Sequence, residues 1–342
     1  MSEHSKIPLP DEAALPVTGN SSIERATRRL DLATVGGRPI PAELIPPRKV
    51  LRRMEPLETA AEAEPEFAPV PVQEVGVVQA TPAPATELAV TVQPVRFTGV
   101  RHAVDRQHLR EQGMILPEGS VTALLEEFRI IKRQLLLQAG ELRRAGAGGA
   151  AQRILICSPL PGEGKTYCSV NLALSIAAEK ESEVLLVDAD FAKPSVLSML
   201  GLPGGPGLMD ALIDPTVDVA DCVIGTDIPG LWVLPAGNAT NSDTETLASS
   251  RTRDVLDRLT HGAPNRIVIF DSPPALAASP AAELAKYVGQ AVVVARCDTT
   301  GQGALEDAIS LLSGCPNIQL LLNGAHFSPS GRRFGTYYGY KG

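Results

Sequence analysis

The 342-residue chain reads as an α/β protein: a doubly wound, mostly parallel sheet preceded by a long disordered N-terminal region. Three observations predict this. From about residue 120 onward, continuous apolar runs alternate with helical stretches, the pattern of strands buried on both faces. One run, RILICS, passes directly into a glycine-bearing loop that ends Gly-Lys-Thr. The first 100 residues carry fourteen of the 29 prolines and only two aromatics, Phe67 and Phe97, too little apolar material to offset the entropy of ordering a chain.

Taken in order, residues 1–115 form the leader, in which 13 Lys/Arg nearly balance 15 Asp/Glu. Within it Ser21-Ser22-Ile23-Glu24 fits a capping box, and Ile23, Ala26, Thr27 and Leu30 share a face, predicting a short helix near 22–32. That helix either docks on a partner or forms transiently. A domain over 116–328 follows, opening with an amphipathic helix at 120–139 whose apolar positions include Leu124, Leu125, Phe128, Ile131, Leu135 and Leu136. The stretch AGAGGAA ends that helix. Strands are expected at RILICS, EVLLVDAD, LWVLP, RIVIFD, AVVVAR and IQLLLN, with helices beginning near Lys165, Thr246, Ser279 and Gly303. Residues 329–342 form a flexible tail holding three of the five tyrosines, Tyr337, Tyr338 and Tyr340.

Composition excludes several classes. The net charge of −8, with no long basic run, gives little support to nucleic-acid binding. No uncharged apolar run approaches the roughly 18–20 residues of a membrane helix, and the first residues lack the apolar core of a secretory signal. Five scattered cysteines without a CxxC pair argue against a disulfide framework or a zinc site and predict a reducing cytoplasm.

The chemistry is concentrated in three strand ends. In the first, Pro161-Gly162-Glu163-Gly164-Lys165-Thr166-Tyr167 joins strand to helix. Glycines let backbone N–H groups turn toward phosphate oxygens, the lysine reaches the β- and γ-phosphates, and the threonine hydroxyl suits Mg²⁺. Pro159 stands where the usual pattern has its first glycine. In the second, Asp188 and Asp190 leave the end of an apolar strand and project the same way, facing a metal–phosphate centre or capping the next element. In the third, Arg266–Phe270 leads to Asp271, a strand-end aspartate suited to holding Mg²⁺ through water. The last strand ends at Asn323, whose amide either pairs with an adenine edge or forms an Asx turn.

Together these residues resemble the bacterial tyrosine kinases, of the MinD/ParA-like branch of P-loop ATPases. The resemblance covers about 115–342 and is nearest to the autokinases associated with exosortase or chain-length determinants in exopolysaccharide loci. Pro161 to Thr166 match the family's Pro-Gly-x-Gly-Lys-Ser/Thr, Asp188 and Asp190 its Asp-x-Asp, and Asp271 and Pro274 its Asp-x-x-Pro. Glu126, Glu127 and Arg129 match a helix used in ring assembly, with Lys132 in place of its last arginine. One departure is Ala192, followed by Lys193, where the family commonly has arginine.

The resemblance implies an ATP- and Mg²⁺-dependent protein-tyrosine autokinase. Lys165, Asp188 and Asp190 would be catalytic. Residues 161–167 with Asn323 would bind ATP, and Thr166, Asp271 and Asp188 the metal. Tyr337, Tyr338 and Tyr340 would be the acceptors. It also implies a homo-oligomeric ring, a membrane chain-length regulator as partner, and a cytoplasmic location at the inner face of the membrane. Two other functions share the motifs: a positioning ATPase that acts as a switch, and a non-catalytic nucleotide-dependent scaffold. The first usually carries an extra lysine early in the phosphate loop, where this chain has Pro159-Leu160-Pro161.

Overall fold

The computed structural model describes residues 94–238 and 243–325. The short helix expected near 22–32 and the three tail tyrosines lie outside the described residues. Among the described residues the chain runs β1 (Arg101–His102), α1 (Arg106–Glu111), α2 (Ala123–Arg144), β2 (Arg153–Cys157), α3 (Lys165–Ala177), β3 (Glu183–Asp188), α4 (Val196–Leu200), α5 (Leu208–Ile213), β4 (Ile224–Thr226), β5 (Leu231–Leu234), α6 (Asp243–Leu247), α7 (Arg251–Thr260), β6 (Arg266–Asp271), α8 (Pro280–Ala285), β7 (Gln290–Arg296), α9 (Gln302–Leu311) and β8 (Ile318–Asn323). The strands form one sheet in the order β1-β4-β5-β3-β6-β2-β7-β8. Every neighbouring pair is parallel except β4 with β5.

All six expected strands are present. Their side chains are buried on both faces in the central strands, as in β2, β3 and β6, which explains why they read as unbroken apolar runs. One face is covered by α1–α4, where Phe128, Leu135, Leu172, Leu174 and Leu200 pack on Ile154, Ile156 and Leu186. The other face is covered by α5–α9, where Leu208, Leu256, Leu284 and Ala308 pack on Leu155, Leu185 and Phe270. The helix at 120–139 begins at Ala123, because Thr122 caps it by accepting from the Leu125 N–H at 3.2 Å. It runs on to Arg144, and a short 3₁₀ turn at Gly148–Gln152 follows within the Gly/Ala stretch.

The boundary at 115 needs correction. Residues 94–115 pack onto the domain: Val95, Phe97, Val104, Leu109, Met114 and Ile115 are buried in its two cores. The anchor is Arg266 at the start of β6. Its guanidinium donates to the Val95 and Leu259 carbonyls at 2.7 Å each, pairs with Glu183 at 2.8 Å and stacks 3.8 Å from the Phe97 ring centroid. Proline content hid this segment, because its few apolar residues bond to places distant in sequence. A chain beginning at residue 116 is therefore expected to unfold at lower denaturant than one beginning at 94. Its midpoint in a urea titration, with the midpoint of the longer chain, checks this.

Candidate active site at the strand ends

The three signature strands lie side by side, so their chemistry meets at one edge. β6 sits between β3 and β2, and Asp188 stands opposite Asp271 in the register of β3 with β6. The loop after β2 turns through Gly162 and Gly164, both left-handed at φ +79° and +94°. Gly164 is the N-cap of α3, so the first N–H groups of that helix point to the loop mouth without carbonyl partners inside the helix. A Cβ on Gly164 would lie 2.2 Å from the Asn323 amide nitrogen. Gly164→Ala is therefore expected to distort the loop and weaken nucleotide binding by about tenfold or more, measured by titration with a fluorescent nucleotide.

Thr166 and Asp271 are in contact: the hydroxyl donates to Oδ2 at 2.7 Å, while Ser169 donates to Oδ1 at 2.9 Å. Asp271 is fully buried, and that burial drives its carboxyl up to about 7 despite the hydrogen bonds and Lys165, which pull it down. Lys165 reaches across to Asp190, Nζ to Oδ2 at 3.0 Å.

The two aspartates of the second motif do different work. Asp188 accepts at Oδ2 from the Ser195 and Val196 N–H groups, both at 2.9 Å, and at Oδ1 from the Asp190 N–H at 3.3 Å. It thereby fixes the turn from β3 into α4, and burial raises its carboxyl to about 6 against those bonds. Asp190 faces the lysine. No group of three or more His, Cys, Asp or Glu side chains clusters as a metal site among the described residues. Thr166 and Asp271, with Asp188 beside them, nevertheless fit Mg²⁺, which takes one or two carboxylates and fills its other positions with water and phosphate oxygens.

Other expected residues fall elsewhere. Asn323 accepts at Oδ1 from the N–H of the next residue, Gly324, at 2.9 Å, one residue short of an Asx turn, and its amide donates to the Glu163 carbonyl at 2.8 Å. The amide thus braces the phosphate loop from β8. Tyr167 keeps its backbone at the loop, but its side chain turns toward α1 and its hydroxyl donates to the Gly113 carbonyl at 2.9 Å. Lys132, counted with the assembly residues, is buried instead: it shares a helix face with Phe128 and Leu135, donates to Ser175 O at 3.0 Å and pairs with Glu179 at 2.6 Å. Glu126 and Arg129 pair with one another on the outer face of α2.

Sequence reading missed two contributors, Thr300 and Ser195. The Glu163 carboxylate is buried and caps the Leu160 N–H at 2.8 Å while accepting from the Thr300 hydroxyl, tying the loop to the turn after β7. Ser195 places its hydroxyl 3.4 Å from that of Thr166. The Thr300 and Ser195 contacts join residues far apart in the chain, and no local pattern marks them.

The chain is 31% identical over 153 residues to the tyrosine-protein kinase ptk of Acinetobacter johnsonii, a match covering 45% of this chain and 20% of that protein. It is 28% identical over 225 residues to the tyrosine-protein kinase YwqD of Bacillus subtilis, covering 65% of this chain and 91% of that protein. The chain is related to the bacterial tyrosine-protein kinases. It spans about a fifth of the length of the Acinetobacter protein and of the Ralstonia relatives named putative tyrosine-protein kinase EpsB. No family model matches the chain. Among solved structures, the chimerical protein CapA2B2 overlays with a TM-score of 0.49 at 24% identity, covering 66% of this chain and 93% of that one.

Proposed function

We propose that this chain is an ATP- and Mg²⁺-dependent protein-tyrosine kinase that phosphorylates the tyrosines of its own tail, Tyr337, Tyr338 and Tyr340. The observation that carries the reading is the meeting of Lys165, Thr166, Asp190 and Asp271 at one strand-end edge, in a chain related to named tyrosine kinases. Residues 161–167 would hold the nucleotide phosphates, with Lys165 on the β- and γ-oxygens. Thr166 and Asp271 would hold Mg²⁺, which neutralises charge that develops on the phosphates.

Asp190 is the better placed acceptor for the phenolic proton. Only its Oδ1 takes a main-chain N–H, from Lys193, and its Oδ2 faces the phosphate-binding lysine, whereas both oxygens of Asp188 are bound by main-chain N–H groups. Transfer of this kind depends mainly on positioning and charge stabilisation, so four side chains and a loop of amides suffice.

The reading extends to a homo-oligomer in which one subunit's tail enters a neighbour's site. Glu126, Glu127 and Arg129 on α2, beside the exposed apolar Ile130 and Leu137, support an assembly face there. Among the described residues no helix is long and apolar enough to cross a membrane. We place the protein in the cytoplasm, held to the membrane by a chain-length regulator, where it would control exopolysaccharide polymerisation and export. Incubation of the purified chain with ATP and Mg²⁺, followed by mass-spectrometric mapping, tests the central claim. Phosphotyrosine at the tail is the expected result; ATP hydrolysis without any phosphotyrosine would instead identify a switch ATPase.

A further inference from the structure

Among the described residues no strand pairs with the outer edge of β8. Natural sheets blunt such edges with charges, prolines or bulges, but Ile318–Asn323 reads Ile-Gln-Leu-Leu-Leu-Asn, with no charge and no proline. β8 pairs with β7 on one side and is the last strand of the sheet among the described residues. Its side chains divide between two faces. Leu321 packs with the α2 and α3 side, where a groove of about 550 Å³ runs between α2 and β8, lined by Leu124, Phe128, Ile131 and Tyr167. Leu320 and Leu322, which alternate with Leu321 along the strand and also border the groove, stand 50% and 61% exposed.

The chain leaves β8 beside that groove. Gly324 sits at φ +67° with its N–H donating to Asn323 Oδ1, and Ala325 still lines the groove. Seventeen residues follow, and they contain the two features a returning strand needs. Ser328-Pro329-Ser330-Gly331 carries serine, proline and glycine where a type I turn prefers them. Phe334, Thr336, Tyr338 and Tyr340 then alternate with Gly335, Tyr337 and Gly339, a period of two that gathers three aromatics on one side.

We propose that residues 334–340 add to the free edge of β8 of the same chain as a ninth, antiparallel strand, with Phe334, Tyr338 and Tyr340 laid into the groove against α2. Main-chain hydrogen bonds to the unpaired edge supply the attachment, and the alternating aromatics supply the fit to the groove. Tyr337, on the other side of the strand, lies along Leu320 and Leu322. One consequence rests on the kinase reading: docking in cis withholds Tyr338 and Tyr340 from a neighbour's site, and a phosphate on either ring is incompatible with the apolar groove. The docking itself does not depend on that reading.

Hydrogen–deuterium exchange of the full, nucleotide-free chain tests it without any catalytic step. The comparison is a chain carrying Thr336→Pro together with Tyr337→Pro, which removes two successive N–H donors, one of which faces β8 in either register. These positions lie outside the described residues, and exchange in the domain away from β8 serves as the internal control. The expected result is that the amides of 319–323 exchange about tenfold more slowly in the unaltered chain. Equal rates in the two chains would overturn the proposal. So would protection that rises with protein concentration across a hundredfold dilution series, which would place the tail, or the β8 edge, on a second copy.

Discussion

Replacing Lys165 with methionine is expected to lower phosphotyrosine formation by at least about a thousandfold, the scale on which one charge-stabilising group matters in phosphoryl transfer. The fold should survive. Methionine keeps the length and apolar stem of the lysine, so the packing at the start of α3 changes little. What disappears is the ion pair with Asp190, whose side chains are 15% and 7% exposed. Losing it costs about 1–3 kcal/mol, because the other Asp190 oxygen keeps the Lys193 N–H at 3.2 Å. A melting curve within several degrees of the unaltered protein, with phosphotyrosine absent by mass spectrometry, is the predicted pair of results. Lys165→Arg separates charge from geometry. It restores a cation, but a planar fork replaces a point charge at a loop built around one lysine, so it should recover nucleotide binding better than phosphoryl transfer. Retained autophosphorylation in Lys165→Met would overturn the assignment of the site.

Much of this was legible because the chemistry lies where continuous strands end. An apolar run that stops at Asp188 or Asp271 marks the end of a central strand, and strand ends in such sheets are where ligands are bound. The loop after β2 was legible too, its two glycines and lysine falling within four residues, Gly162 to Lys165. Four kinds of feature were not. The short elements β1, β4, α1, α4 and α5 span too few residues to show a period. Segment 94–115 looked like linker because its anchors are Arg266 and the cores of another region. Lys132 was read by resemblance as an assembly residue, although its spacing from Phe128 and Leu135 places it on the inner face of α2. The division of labour between Asp188 and Asp190 was equally hidden, since it depends on the N–H groups of Ser195 and Val196 rather than on the aspartates.

Asp271→Asn should abolish the same activity while making the metal-free protein more stable. The Asp271 carboxylate is fully buried, and among the described residues no cation pairs with it directly, although Lys165 acts on it from nearby; its partners are the hydroxyls of Thr166 and Ser169. Burial disfavours its charged form, which is why its titration moves up to about 7, with Asp188 opposite it on β3 adding like charge. The sign of the linkage follows. A carboxyl whose folded-state value lies above its ordinary value of 3.8 contributes most to stability when it is protonated. That contribution is present below about pH 4 and is lost as the pH rises to about 7. Stability of the metal-free chain should therefore decline across that interval at this site, and Asp271→Asn should remove the decline. The asparagine carbonyl still accepts from one hydroxyl and its amide donates to the other, so no buried polar group is stranded. A gain of about 1–2 kcal/mol at neutral pH is expected, read as a higher melting temperature in chelator. The same substitution removes the negative charge that would face Mg²⁺, so added Mg²⁺ with nucleotide should stabilise the unaltered chain and leave the variant nearly unmoved. A variant that melts lower than the unaltered protein at neutral pH without metal would show that the carboxylate holds the fold rather than being held by it.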